Sequence, residues 1–573
     1  MKIKLAREIV ERFYYTKRIR LHFVAFLSLI ASLFEYCGLF LIFQFLIIIT
    51  NPENQYSLYI TEILKKILPN CTSSNISLLL GILIASIYIF KNIYMYFYTK
   101  ISSFVMQDLS LNINLKLIKQ FLYADFVLIN SISANEKNSV LNKTSVIVWN
   151  YIAQYFNLIT NFAIIAMLLV FLFVKFTLCA VISCCFLSAL SLIEYWILKN
   201  KSKYQNKYFA LYFNDLNKIT YTIINAIKEI RLNNKSKYFL SQAHDKFKNI
   251  AKINRFDCES SVFHIYFTEI SIMSTFIVVL SVLYFTTDFN NQTVMTALGS
   301  IAAIILRITP AINRFQSALY GINSNEQIAA DVLNFDKKFN DNPDLYETDE
   351  ILPFDKEINL KNVSYHYPNS ISGLENINLT IKKGEFIGIV GASGCYKTTL
   401  SLIIAGLIKA DGEIYIDNIL LNGRNYKKWQ NNISILSQDF SIIKENIFDG
   451  LNDEMINQLD LKELNSNPLE LSFGQKQRAA LAQILASGKQ LLILDEATSS
   501  LDVLSEDKIN QILFNLKGKK TIISIAHRLQ ILKHCDRIIY MDNAKIIDID
   551  TFKNLNDKYD NFKKIINLSN FKL

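Results

Sequence analysis

Apolar positions follow two unlike patterns along this chain, and the change between them divides it. In the first part six apolar stretches, at about 21–49, 77–98, 147–174, 176–198, 262–286 and 293–320, each come near or exceed the roughly 20 residues that a bilayer-crossing helix needs. They predict six spanning helices. Only Lys175 separates the third stretch from the fourth, which predicts a hairpin with almost no loop. The segments 99–146 and 199–261 are polar, helix-patterned and poor in Gly and Pro, so the helices are expected to run on past the membrane, with short helices at their tips near 123–129 and 220–227. Between the first two stretches, Ile60, Ile63, Leu64, Ile67 and Leu68 form one apolar stripe ended by Pro69, with Lys65 and Lys66 on the polar side. That suits a helix lying in the outer headgroup layer, or one packed on the ends of the first two spans.

Past residue 357 short apolar strands alternate with helical segments, which is an α/β pattern. The polar, acidic stretch 325–356, with Pro343 and Pro353, reads as a linker. The expected organisation is a membrane all-α six-helix domain over 1–324, the linker, and an α/β domain over 357–573.

Composition agrees. Hydrophobic residues make up 51% of the chain, aromatic residues 13% and charged residues 19%. The mean hydropathy is +0.22. These values exclude a disordered, collagen-like or ordinary water-soluble chain. A length of 573 residues is too great for a single core.

The net charge of +10 is explained by topology. Residues 1–20 hold seven basic and two acidic residues, and 199–259 hold thirteen basic and five acidic. On the other side Glu53 and Glu62 balance Lys65 and Lys66, and 287–292 carries only Asp288. Both termini are therefore expected in the cytoplasm, and no nucleic-acid partner is needed. Of eight cysteines, Cys37, Cys179, Cys184 and Cys185 sit in apolar runs, so neither a disulfide framework nor a metal spacing is expected. The first apolar run is too long for a cleavable signal peptide.

Glu35, Lys91, Glu194, Glu269, Arg307 and Arg314 fall within or at the ends of the spans, where charges face cavities or pair with each other. Glu35 and Arg307 each lie about 15 residues into their helices from opposite sides, near mid-depth. Arg307 and Arg314 are seven apart and share a helix face. Two guanidinium forks on a cavity wall suit a phosphate or pyrophosphate. The alternative is structural pairing with Glu35 or Glu269.

Three segments carry chemistry. Gly384-Glu385 leads into an apolar strand at 386–390, then Gly391-Ala392-Ser393-Gly394-Cys395-Tyr396-Lys397-Thr398-Thr399, then a helical run. Strand, glycine-bearing loop and helix make a phosphate cradle of the P-loop NTPase kind. Backbone N–H groups and the helix N-terminus face the phosphates, Lys397 reaches the β- and γ-phosphates, and Thr398 ligates Mg²⁺. Tyr396 stands where the last glycine of G-x-x-x-x-G-K-[ST] belongs. Leu491-Leu492-Ile493-Leu494-Asp495-Glu496 is an apolar strand ending in two acids, Asp495 to hold Mg²⁺ through water and Glu496 to polarise an attacking water. Leu471-Ser472-Phe473-Gly474-Gln475-Lys476-Gln477-Arg478 opens another helix.

This last run resembles the LSGGQ signature of ATP-binding-cassette (ABC) proteins, with Phe473 for the first glycine. The resemblance implies further roles. Tyr367 stacks on adenine. Gln438 is the Q-loop glutamine, serving both metal and catalysis. Ser500-Leu501-Asp502 is the D-loop, and His527 in Ile525-Ala526-His527-Arg528-Leu529 is the switch histidine. Ser472, Phe473, Gly474 and Gln475 then face the nucleotide of a second chain in a head-to-tail dimer, with ATP and Mg²⁺ as cofactors. The whole chain resembles an ABC exporter half-transporter of the type IV fold.

Leu33-Phe34-Glu35-Tyr36-Cys37-Gly38-Leu39 and Leu306-Arg307-Ile308-Thr309-Pro310-Ala311-Ile312-Asn313-Arg314 look like the flippases of lipid-linked oligosaccharides. The implied function is ATP-driven export or flipping of an amphipathic substrate across a bacterial inner membrane by a homodimer. A peptide or lipopeptide exporter, and a weakly catalytic subunit of a heterodimer, are the alternatives. Only 33 residues, 439–471, separate Gln438 from Ser472, fewer than the family usually has. With Tyr396 and Phe473, this implies retained but slowed hydrolysis.

Overall fold

The computed structural model describes every residue except 1, 51–72, 176, 287–290, 340–347, 369–371, 424, 439, 441, 443–447, 449–450, 463, 465–466, 468–469, 497–502, 526–528 and 571–573. The apolar stripe at 60–68 lies outside the described residues. The chain divides into two units, Met1–Phe121 with Ile132–Phe339, and Leu122–Ser131 with Asn340–Leu573.

The first unit is helical. Its long helices are Arg18–Thr50, Ser73–Tyr123, Ala153–Lys175, Thr177–Asn225, Ser236–Thr286 and Asn291–Lys338. Ser73–Tyr123 and Ser236–Thr286 each have 51 residues. At about 1.5 Å per residue that is about 75 Å, more than twice a bilayer's hydrocarbon layer, so these helices run well past their apolar stretches. Among the described residues, two helical segments, Gly81–Tyr123 and Glu136–Val170, are long and apolar enough to cross a membrane. The second tip helix lies later than its expected position, at Ile227–Leu232.

Residues 325–338, read above as the start of a linker, are instead the last turns of Asn291–Lys338. Their polar surface hides a buried stripe of Ala329, Val332, Leu333 and Asp336 at helical spacing. Asp336 is fully buried. Its carboxylate accepts from Gln120 Nε2 at 2.9 Å, pairs with Lys116 Nζ at 3.2 Å, and is bonded by Arg12 of the helix Lys2–Phe13. Burying this charge is tolerable because two cations and an amide satisfy it.

The second unit holds two sheets. β1 (Glu357–His366), β2 (Gly373–Lys382), β4 (Asp411–Ile416) and β5 (Ile419–Leu420) are antiparallel, in the order β2-β1-β4-β5. β3 (Phe386–Gly391), β6 (Ile433–Leu436), β7 (Leu491–Asp495), β8 (Thr521–Ile525), β9 (Arg537–Asp542) and β10 (Lys545–Asp550) form a sheet in the order β10-β9-β3-β8-β7-β6. That sheet is parallel except for β10 against β9.

β3, β7 and β8 are buried along their whole length. Successive residues point to opposite faces. Ile387, Ile389, Ile493 and Ile523 join a core with Ile358, Leu360 and Leu379 of the antiparallel sheet. Phe386, Val390, Leu492, Leu494 and Ile522 join another with Leu481, Ile509 and Leu513 of flanking helices. A strand buried on both faces reads as a continuous apolar run, which is how β7 stands out in the sequence. The short helix Phe126–Ser131 belongs to this unit, and Phe126 and Val127 pack against its first core.

Asp417 closes the turn between β4 and β5 with a left-handed φ of 55°, a conformation that Asp tolerates. Its carboxylate accepts the backbone N–H groups of Asp355, Lys356 and Glu357 at 2.8, 2.8 and 2.9 Å. Burial alone would raise its pKa, but the three N–H bonds outweigh burial and hold it below the usual carboxylate range. Such a group adds stability above its unfolded pKa of about 4, and that stability is lost as pH falls through the lowered folded value. Asp417→Asn is therefore expected to lower Tm by a few degrees at neutral pH. The gap to the wild type should close below about pH 4. Thermal unfolding of both proteins across that range checks it, and a pH-independent gap refutes the charge as the cause.

Candidate functional site

The carboxyl ends of β3, β7 and β8 lie side by side, because β8 pairs with both β3 and β7. In open α/β sheets ligands bind at such ends.

β3 ends at Gly391. A Cβ there would lie 2.3 Å from the Met541 carbonyl oxygen and 2.6 Å from Cys395 Sγ, so only glycine fits. Gly394 holds a φ of +85°, which glycine adopts without strain. The Cys395 thiol donates to the Ala392 carbonyl at 2.9 Å, and burial pushes its pKa up. Ala392, Ser393 and Gly394 stay exposed along the loop.

The helix Lys397–Ile404 follows at once. Buried Lys397 donates through Nζ to the carbonyls of Gly391 at 2.8 Å and Ala392 at 2.9 Å, so its ammonium sits in the loop's concavity. Thr398 Oγ1 donates to Asp495 Oδ2 at 2.7 Å, joining the helix start to the end of β7. The Thr399 and Tyr367 hydroxyls are 3.1 Å apart.

Tyr396 occupies the left-handed conformation that its replaced glycine would favour, with φ 65° and ψ 28°. For a side-chain-bearing residue that costs roughly 1–2 kcal/mol. Its hydroxyl donates to the Ser372 carbonyl at 3.0 Å, and its ring stacks on Tyr367 with centroids 6.4 Å apart. One hydrogen bond and one aromatic contact are each worth about 1 kcal/mol, enough to offset the strain. The phenol is thereby anchored on Ser372.

Glu496 follows β7 with a φ of 51°. Its N–H donates to the Ile525 carbonyl at the end of β8, at 3.2 Å. Its carboxylate accepts from Gln438 Nε2 at 3.1 Å. Its carbonyl accepts from Gln477 Nε2 at 3.4 Å. Ser472 caps the helix Phe473–Ala486 in a capping box: the Gln475 N–H donates to Ser472 Oγ at 3.4 Å and the Ser472 N–H to Gln475 Oε1 at 2.8 Å. Phe473 is 54% exposed, and Gly474 lies one residue further into the helix.

The structure thus brings together Lys397, Thr398 and Asp495, and beside them Gln438 and Glu496. Tyr367 lies against the loop through Tyr396 and Thr399. Asp502 and His527 lie outside the described residues, as do the side chains of Glu35 and Arg307. Arg314 and Glu269 are exposed on the single chain, whereas Glu194 is buried and accepts from Gln316 at 2.9 Å. Sequence reasoning missed Gln477 and Ser372 as partners of the site. Gln477 stands in the run that carries the signature, but its partner is nineteen residues away.

Parts of the chain are similar to known proteins. The family model described as "ABC transporter" matches residues 374–499. The methionine import ATP-binding protein of Bacillus subtilis strain 168 is 33% identical over 34% of this chain and 67% of its own length. The alpha-hemolysin translocation ATP-binding protein of Escherichia coli is 32% identical over 45% of this chain, and the ATP-dependent lipid A-core flippase of Pseudoalteromonas translucida strain TAC 125 is 36% identical over 33% of it. The chain spans 39% and 38% of the length of these last two. In fold, the chain is similar to a bacterial Atm1-family ABC exporter with ATP bound, with a TM-score of 0.74, 14% identity, and coverage of 98% of this chain and 99% of that one.

Tyr396→Gly removes the ring stacked on Tyr367 and frees that side chain. It is expected to tighten nucleotide binding by up to about tenfold, measured by equilibrium titration. Weaker binding together with slower hydrolysis would instead make the anchored ring an adapted part of the site.

Proposed function

Because this chain belongs to the ABC transporter family, we propose that it is an ATP-hydrolysing exporter that moves an amphipathic substrate across a bacterial inner membrane. The observation that carries this is the junction of Lys397, Thr398 and Asp495 at adjoining strand ends, with Glu496 next to them. Lys397 and the N–H groups of the loop hold the phosphates. Glu496 takes the proton of the attacking water, and Gln438, bonded to its carboxylate, orients it. His527 is assigned to the γ-phosphate, and Tyr367 to the adenine.

The donors fit Mg²⁺. A threonine hydroxyl and a carboxylate already meet at 2.7 Å, and the Gln438 amide lies close to the Glu496 carboxylate. Magnesium binds through few protein oxygens and substrate phosphates, which suits one hydroxyl and one carboxylate placed together. When bound, Mg²⁺ neutralises charge developing on the phosphates.

The working unit in this reading is a homodimer joined head to tail. Ser472, Phe473, Gly474 and Gln475 of one chain face the nucleotide of the other, with Asp502 at the junction. Both termini are cytoplasmic. The favoured cargo is a lipid-linked oligosaccharide, supported by the segments around Glu35 and Arg307–Arg314. The relative named for alpha-hemolysin translocation supports a peptide or lipopeptide as the other cargo. Tyr367, assigned to the adenine, is already stacked by Tyr396, and this favours a second reading, a weakly catalytic subunit of a heterodimer. ATP hydrolysis by the purified single chain decides between the two assemblies.

Glu496→Gln is expected to leave ATP binding intact, to lower turnover by about 100-fold or more, and to trap a closed dimer. Undiminished turnover removes Glu496 from its role. For the cargo, Arg307→Lys keeps the charge and loses the guanidinium fork, so transport into vesicles is expected to fall several-fold more than basal ATP hydrolysis. If Arg307 only clamps Glu35, then Arg307→Ala, Glu35→Ala and the double variant show coupled losses in Tm, with transport falling in step with folded protein.

A further inference from the structure

Phe473 has a partner that its motif does not foresee. Its ring meets Phe440 with centroids 5.4 Å apart and planes at 48°. Phe440 stands two residues after Gln438, whose amide holds the Glu496 carboxylate. One turn after Phe473 on the same helix, Gln477 reaches the Glu496 carbonyl. These contacts close on themselves: Phe473 to Phe440, along the chain to Gln438, across to Glu496, across to Gln477, and along the helix back to Phe473.

Gln477 is informative here. It is 3% exposed, and its Oε1 is buried without a hydrogen-bond partner among the described residues. An unpaired buried carbonyl is costly, and a leucine of similar size would avoid that cost. The position keeps an amide whose satisfied end is directed at Glu496. Glu496 itself holds a left-handed φ of 51°, which needs its surroundings to enforce it.

We propose that Phe473, Phe440 and Gln477 are positioning residues for Glu496, and that the Phe440–Phe473 pair fastens the Gln438 segment to the start of the signature helix so that the Glu496 carboxylate is held in place for hydrolysis. This rests on the reading of Glu496 as the group that activates water. On that reading the phenylalanine in the signature is a working part of the site and does not degrade it. The aromatic contact is worth about 1 kcal/mol, so breaking it changes the rate by about fivefold.

The test is a double-mutant cycle on the full-length protein. Phe440→Ala is expected to lower kcat for ATP about fivefold with KM changed less than about twofold. Phe440→Tyr keeps an aromatic ring and restores most of the rate. Phe473→Ala lowers kcat similarly, and the double variant is no slower than either single one. Hydrogen exchange of the segment Leu491–Glu496, measured without nucleotide in all four proteins, is expected to speed up equally in the three Ala variants. Additive losses in kcat, a rise in KM alone, or exchange unchanged by either substitution overturns the proposal. If the wild type hydrolyses no ATP, the function proposed above fails. The exchange cycle then still reads the ring: coupled changes keep it, and uncoupled ones remove it.

Discussion

Everything in the α/β unit depends on burying the central strands on both faces. β3, β7 and β8 expose almost nothing along their length. Their backbone N–H and C=O groups are therefore restricted to partner strands, and their register cannot slip without carrying an apolar side chain to the wrong core. That restriction places Gly391, Asp495 and Ile525 at one end of the sheet. The loop after β3 and the end of β7 then meet without any further instruction. The 2.7 Å bond from Thr398 to Asp495 follows from this placement, because it joins two groups nearly one hundred residues apart.

What could be read from sequence follows the same division. Lys397, Thr398, Asp495 and Glu496 were legible because each sits at a junction where an apolar run stops, and such junctions are local. Gln477 and Ser372 were not, because their value lies in contacts made only after folding, to the Glu496 carbonyl and the Tyr396 hydroxyl. The start of the linker was misread for a related reason. Mean polarity over 325–338 is high, yet one face of that helix buries Ala329, Val332 and Leu333, and the buried charge of Asp336 lies on the same face. A polar average conceals an amphipathic stripe, whereas the periodicity of single positions does not.

Tyr396 shows why a departure from a motif is not by itself a defect. The left-handed backbone is a property of the loop, and glycine is only the cheapest residue to occupy it. Tyrosine occupies it at a cost of roughly 1–2 kcal/mol and returns a hydrogen bond to Ser372 and a stacked neighbour in Tyr367. The backbone is thus conventional while its surroundings are not. The aromatic assigned to adenine is already engaged, by Tyr396 on one side and by Thr399 through its hydroxyl.

Phe473 extends that argument to the short stretch between Gln438 and the signature helix. With 33 residues in that stretch, less chain is present to pack the segment after Gln438 against the helix. Two phenylalanine rings meeting at 5.4 Å supply apolar contact at that junction. Phe440 is also packed against the core that contains Leu471, Leu481 and Leu494, so the pair ties the exposed signature to a buried layer. A glycine at 473 would leave the Phe440 ring without this contact.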